Sequence, residues 1–236
     1  MNLLLLEPGD FIDENRVQLQ GRRLQHMQDV HGVTTGDTLK AGVLNGSMGT
    51  ARILQLSQTL AELEVSLDKA PPPPLPITLL LALPRPKMLR RVLQTVATMG
   101  VKQLYLINSW RVEKSYWQSP FLSEHAIREQ LLLGLEQGCD TLLPEVHIRQ
   151  RFKPFVEDEL PGLVAGNMAL VAHPSGEMPC PTSVQDNLVL ALGPEGGFID
   201  YEIQKFQETG FDAVTLGARI LRVETAIPAI LGRLFQ

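Results

Sequence analysis

The sequence predicts an α/β protein: a parallel sheet covered by helices, preceded by a small β-rich domain. Three observations carry that prediction. From residue 77 onward, strand-length runs that are apolar throughout alternate with amphipathic helical stretches, as buried parallel strands joined by crossover helices do. Residues 1–70 instead read as short strands divided by turn signals. Between them lies PPPPLP, residues 71–76, whose consecutive prolines continue neither a helix nor a central strand and favour a stiff extended segment. The expected organisation is therefore a β-domain over 1–70, a proline linker over 71–76 and an α/β domain over 77–236.

In the first domain, MNLLLLEPGD reads as a strand stopped by Glu7 and Pro8, with no basic stretch before it that would suit a signal peptide. RVQLQ, DTLKAGVLNG and MGTARILQLS read as further strands, with turns at Thr35-Gly36-Asp37 and Asn45-Gly46. The helical piece RRLQHMQDV places Leu24, Met27 and Val30 on one face. A small barrel fits this pattern, and such barrels often bind oligonucleotides; a β-domain without a ligand is the alternative. Arg22 and Arg23 are its candidate RNA contacts.

After the linker come the strand ITLLLAL (77–83) and a helix, KMLRRVLQTVATMG, with Leu89, Val92, Leu93 and Val96 on its apolar face. QLYLIN (103–108), the helix SEHAIREQLLLGLEQG, and the strands EVHIR, MALVAH and LVLALG follow. The helix DYEIQKFQETG is expected to be capped by Asp200 and stopped at Gly210. The strand AVTLG and a helix over roughly 225–235 close the chain.

Composition narrows the function. With 44% apolar and 20% charged residues, the 236-residue chain has the profile of a soluble globular protein, and no apolar run reaches the length of a membrane span. Cys139 and Cys180 form no CxxC pair, and His26, His31, His125, His147 and His173 show no metal-ligand spacing, so neither a disulfide framework nor a metal site is expected. Cysteine usage makes a reducing cytoplasm the default location. A net charge of −5 argues against non-specific coating of nucleic acid but leaves room for a local basic patch.

Two strand ends concentrate the chemistry. After LVLAL the chain lays down Gly193, Pro194, Glu195, Gly196 and Gly197 before the next helix, more Gly and Pro than a turn requires. Ligands of parallel sheets sit beyond the carboxyl ends of strands, and small residues let main-chain groups approach them. Neither a G-x-G-x-x-G fingerprint nor a P-loop is present, so phosphate cradling is not the obvious use; an elaborate turn is the plain alternative. The second strand end, LGARILRVETAIPAIL (216–231), carries Arg219, Arg222 and Glu224. Guanidiniums there suit an anionic partner such as RNA phosphate, or pair with Glu224 or Glu195 to brace the loop. His173, in VAHPSG, faces the same crevice or is structural. Arg85, Lys87, Arg90 and Arg91 form a local basic group, either phosphate contacts or a solvated helix face.

The stretch LALGPEGGFIDYEIQKFQETGFDAVTLGARILRVETA resembles the signature of the bacterial small-subunit ribosomal RNA (uracil-N3)-methyltransferases, a family of the SPOUT class. The matching residues are Gly193 through Gly197, Glu202-Ile203, Gly210-Phe211, Leu216-Gly217, Arg219 through Arg222 and Glu224 through Ala226. The resemblance implies a trefoil-knotted parallel sheet domain preceded by a PUA-like β-barrel, working as a homodimer on 16S ribosomal RNA without a metal. It implies S-adenosylmethionine held by Ala172, His173, Pro174, Leu192, Gly193, Pro194, Glu195, Gly196, Gly197, Leu216, Gly217, Ile220, Leu221 and Arg222. The glycines would then leave room for cofactor atoms against bare main chain. Arg219, Arg222 and Glu224 are the candidates for RNA contact or charge stabilisation, and Arg22, Arg23, Arg85, Lys87, Arg90 and Arg91 for RNA binding. An RNA-binding or ribosome-assembly protein that keeps the knot without turnover is the second reading.

Three stretches depart from the family pattern: VHGVTTGD lacks an arginine, PRPKMLRRVLQTVATMGV lacks an acid before its glycine, and EQGCDTLLPEV has Asp140 where an arginine is expected. These positions are expected to face RNA or a partner subunit, which leaves the target nucleotide open.

Overall fold

The computed structural model describes residues 2–235, except for the side chains of Val30 and His31, so the position read for Val30 on its helix lies outside the described residues. The chain forms two compact units, Met1–Pro73 with Leu132–Leu143, and Pro74–Leu131 with Pro144–Gln236.

In the first unit, β1 (Leu4–Leu6), β2 (Arg16–Leu19), β3 (Thr38–Val43), β4 (Met48–Leu56) and β5 (Ala61–Lys69) form one sheet in the order β1-β3-β4-β5-β2. β1 runs parallel to β3 and the other pairs are antiparallel. Register shifts in β4 at Met48/Gly49 and Ile53/Gln55 sharpen the bend of the long β4–β5 ribbon and curl the sheet toward a barrel. Inward positions alternate along β5, where Ala61, Leu63 and Val65 are buried, yet this strand is absent from the elements read in the sequence. Leu24 and Met27 of α1 (Gly21–His31) complete the same core.

Residues 132–143 join this unit, whereas the sequence reading leaves them in the second domain. The Glu136 carbonyl accepts from the amides of Asn2 (3.1 Å) and Leu3 (3.0 Å), and Thr141 Oγ1 donates to the Gly46 carbonyl at 2.6 Å. The two arginines expected to meet RNA are spent here. Arg22 reaches the Glu136 carboxylate with both terminal nitrogens, at 3.2 and 2.7 Å. Arg23 grips Asp10 the same way, at 2.5 and 2.6 Å, and also donates to the Leu5 carbonyl. Paired bonds of this geometry lock a guanidinium, so both side chains brace the unit. Asp140 is 4% exposed and accepts from the Leu142 amide at 2.9 Å; it shapes a turn and offers little surface to RNA or to a partner.

The second unit is built on a parallel sheet of β6 (Ile77–Ala82), β7 (Gln103–Ile107), β8 (Glu145–Arg149), β9 (Met168–Ala172), β10 (Met178–Pro179), β11 (Leu188–Leu192) and β12 (Asp212–Thr215). The order is β10-β12-β9-β11-β6-β7-β8. β11 sits between β9 and β6 with all five residues buried, so both of its faces are covered. Each leucine buried there contributes about 1.5–3 kcal/mol. From β6 the chain steps outward through β7 and β8, then returns to the other side, where β11 fills the gap and β12 lies beyond β9. The strand order thus switches direction at β11, and crevices for ligands open at the carboxyl ends of such strands.

The remaining α-helices are α2 (Pro86–Thr98), α3 (Glu124–Gly138), whose residues from Leu132 on belong to the first unit, the short α4 (Phe152–Pro154) and α5 (Leu160–Val164), α6 (Asp200–Glu208) and α7 (Val223–Phe235). The periodicity of α2 is met in full: Leu89, Val92, Leu93 and Val96 are buried. At α6 the expected cap is corrected. Ile199 holds the N-cap position and Asp200 is the first helical residue, while the Glu202 carboxylate reaches back to the Ile199 amide at 3.0 Å. α7 begins at Val223, earlier than expected, because Val223 is already buried. No helix among the described residues is long and apolar enough to cross a membrane.

Candidate functional site

A cavity of about 300 Å³ opens at the carboxyl ends of β9, β11 and β12. Ala172, His173 and Pro174 form one wall, Leu192 through Gly197 a second, and Val214 through Gly217 with Arg219, Ile220 and Leu221 a third. Among the residues the sequence assigned to a cofactor, only Arg222 is missing from the lining; of the proposed catalytic group, Arg219 lines it and Arg222 and Glu224 do not. Sequence reading missed Arg111, Val214, Thr215, Val223 and Ala226. Val214 and Thr215 end β12, and Val223 and Ala226 share one face of the first turn of α7, so strand-end and i,i+3 arguments reach these four. Arg111 had no such signal, since it meets Gly196 across 85 positions of sequence.

The glycines are explained differently from the sequence reading. A Cβ on Gly193 would lie 2.9 Å from the Phe198 amide nitrogen and 3.2 Å from Gly197 main-chain carbons. Gly197 has φ +74°, a conformation that costs other residues energy. At Gly196 a Cβ would meet Arg111 Cδ at 2.8 Å. These residues are therefore small because the loop folds tightly on itself and under Arg111, and the cavity is a consequence of that fold. The resulting main chain is open to a ligand: the amides of Glu195, Gly196, Ile220 and Leu221 donate to no protein group among the described residues.

Four hydrogen bonds hold this loop and the segments that flank it. Arg111 Nη1 donates to the Gly196 carbonyl. The Arg85 amide donates to Glu195 Oε1 at 3.1 Å, tying the end of the β6 loop to the same segment. Glu202, 2% exposed, accepts from Trp110 N at 2.7 Å with Oε1 and from Ile199 N at 3.0 Å with Oε2. Because Glu195 is occupied by a main-chain amide, neither Arg219 nor Arg222 braces the loop through it. Both arginines are exposed, and their guanidiniums make no hydrogen bond or ion pair among the described residues, with Glu224 or any other group; only the Arg222 main-chain carbonyl is engaged, by the Thr225 and Ala226 amides. Unpaired guanidiniums beside a cavity favour an anionic ligand.

His173 is structural in its bonding. Its Nε2 lies 3.3 Å from the Phe198 carbonyl, which requires the proton there, and Nδ1 accepts from Ser175 Oγ at 2.6 Å. In the basic group of α2, Arg90 stacks over the Phe121 ring at 5.3 Å, while Arg85, Lys87 and Arg91 remain exposed. Both cysteines are free; burial pushes the Cys180 thiol up from its ordinary value, which keeps it unreactive.

Residues 71–235 match the family of RNA methyltransferase domains. The chain belongs to that family. A ribosomal RNA small subunit methyltransferase E of Treponema pallidum is 29% identical over 96% of this chain and 87% of its own. The protein of the same name from Synechocystis is 28% identical over 98% of this chain and 76% of its own. The fold agrees with a crystal structure of a ribosomal RNA small subunit methyltransferase E from Neisseria gonorrhoeae bound to S-adenosyl methionine, with TM-score 0.74 and 24% identity. That comparison covers 98% of this chain and 95% of the other. A putative methyltransferase from Legionella pneumophila in complex with the same cofactor gives TM-score 0.72 at 22% identity, over 98% and 95% of the two chains. The cavity at the β9, β11 and β12 ends gathers free main-chain amides and the unpaired Arg219 at the switch point of the sheet, where ligands of parallel sheets bind.

Proposed function

We propose that the chain is an S-adenosylmethionine-dependent methyltransferase of 16S ribosomal RNA, acting at N3 of a uridine. One observation carries the reading: a cavity formed by three strand-end loops of an RNA methyltransferase domain, lined by main chain, apolar side chains and the unpaired Arg219. The residues fit the cofactor by their chemistry. Leu192, Leu216, Ile220 and Leu221 offer apolar contact to a nucleoside, and the open amides of Glu195, Gly196, Ile220 and Leu221 offer donors to its polar groups. When bound, S-adenosylmethionine supplies an activated methyl group on a sulfonium.

The chain's own residues orient the two reactants, which supplies much of the rate. Uridine N3 carries a proton at neutral pH, so negative charge develops on the base as that proton passes to water and the methyl group takes its place. In this reading Arg219, which lines the cavity, stabilises that charge. Arg222 and Glu224 extend the same edge toward RNA, as do exposed Arg85, Lys87 and Arg91. The reading includes the knotted path from β12 through α7, cytoplasmic location and a homodimer, in which exposed Ile220 and Leu221 are covered.

Incubating the protein with labelled S-adenosylmethionine and small subunits lacking the modification, then mapping the RNA by mass spectrometry, tests it. N3-methyluridine at one position is the expected product; RNA binding without any methyl transfer would return the chain to the assembly-protein reading. In the same assay, Arg219→Ala is expected to lower single-turnover methyl transfer about 100-fold. An unchanged rate would remove Arg219 from the chemistry.

A further inference from the structure

The turn after β7 carries a feature that no cofactor contact explains. Ser109 and Val112 are buried at 3% and 7% and close on each other through a 3.1 Å bond from the Val112 amide to the Ser109 carbonyl. Between them Trp110 is 80% exposed. The protein's other tryptophan behaves as tryptophans usually do: Trp117 is half-buried and its Nε1 donates to Asn108 Oδ1 at 3.0 Å. Trp110 makes no ring contact and no side-chain bond among the described residues.

Its backbone, in contrast, is held on both sides. The amide is anchored on buried Glu202 at 2.7 Å, and the next residue, Arg111, lines the cavity and donates to the Gly196 carbonyl. A large ring is therefore kept in water on a turn fixed by a buried carboxylate, one residue from the cavity. Backbone order removes the loop-ordering part of the entropic cost of using that ring as a contact.

The geometry points to Trp110 as a stacking platform for a base of the RNA substrate, next to or at the uridine delivered to the cavity; this rests on the methyltransferase reading above. Single-stranded RNA is recognised by stacking unstacked bases on exposed aromatic faces, and one ring suffices for one base. A second protein copy is the less suitable occupant. Trp110 is followed by exposed Arg111, Glu113, Lys114 and Ser115, and this polar run lacks the contiguous apolar core of a protein interface.

Trp110→Ala and Trp110→Phe are compared with the full-length protein in methyl transfer to small subunits lacking the modification, with S-adenosylmethionine affinity measured separately. Trp117→Phe, which leaves Trp110 as the only tryptophan, is titrated with 16S ribosomal RNA and followed by fluorescence. The expected result is a KM for RNA raised about tenfold in the alanine variant, cofactor affinity unchanged, most of the loss recovered by phenylalanine, and quenching of Trp110 by RNA. A wild-type KM in Trp110→Ala would overturn the proposal. So would dissociation of a wild-type dimer by that substitution, which would assign the ring to a second copy of this chain. If the wild-type protein transfers no methyl group, the reading of function fails first; normal turnover with an indifferent Trp110 sinks this inference alone.

Discussion

Gly193→Val is expected to abolish S-adenosylmethionine binding while the sheet remains folded. Even the first added carbon would sit 2.9 Å from the Phe198 amide nitrogen and 3.2 Å from two Gly197 carbons, all of them backbone. Backbone atoms in a closed loop cannot step aside as a side chain can, so the segment Pro194–Gly197 must move as a unit. That movement would carry the Glu195 and Gly196 amides away from their places and break the Glu195–Arg85 and Gly196–Arg111 bonds. Gly193 follows the last residue of β11, whose core contacts are untouched, which is why the fold should survive. Isothermal titration should show a Kd raised more than about 100-fold, a loss of about 2.7 kcal/mol or more, with far-ultraviolet circular dichroism unchanged. Gly196→Ala is the comparison. Its neighbour is the Arg111 side chain, which can swing away, so the loss there should be several-fold smaller. Equal affinity in Gly193→Val and wild type would show that this loop does not form the cofactor site.

Glu202→Leu should be the most destabilising substitution near the site. The leucine fills a similar volume but leaves the Trp110 and Ile199 amides without the acceptors they have at 2.7 and 3.0 Å. An orphaned buried donor costs about 1–3 kcal/mol, so about 3 kcal/mol is expected from the pair. Glu202→Gln keeps one acceptor and presents an amide donor to the other N–H, which predicts a smaller loss of about 1–2 kcal/mol. Urea unfolding of the three proteins measures both. The leucine variant should also bind cofactor more weakly, because Ile199 and Trp110 flank the segments that hold Gly196. Wild-type stability in Glu202→Leu would mean that water replaces the carboxylate at both amides.

The two substitutions expose how differently the parts of this site could be read from the chain. Glu202 stood out in the sequence only as part of a family match, without a role, because its partner Trp110 lies 92 positions away. Residues 132–143 were read as the end of a helix and a loop of the α/β domain. Their hydrogen bonds to Asn2, Leu3, Asn45 and Gly46 belong to partners distant in sequence, which no local period announces. Arg22 and Arg23 looked like surface cations for the same reason: the acids that occupy them are invisible in a helix-face pattern.

What the chain declared by itself was whatever depends on near neighbours. Apolar runs marked the central strands β6, β9 and β11 of the parallel sheet, though not the edge strand β10, 3.6-residue spacing marked the buried face of α2, and glycine-rich strand ends marked two walls of the cavity. Tertiary structure alone decided which side chains are spent and which are free. It tied Arg111 to Gly196 and Glu202 to Trp110, engaged both nitrogens of His173, and left Arg219 and Arg222 unpaired. The physical reason is that pattern and propensity act over a few residues, whereas a hydrogen bond needs its partner within about 3 Å, wherever in the chain that partner comes from.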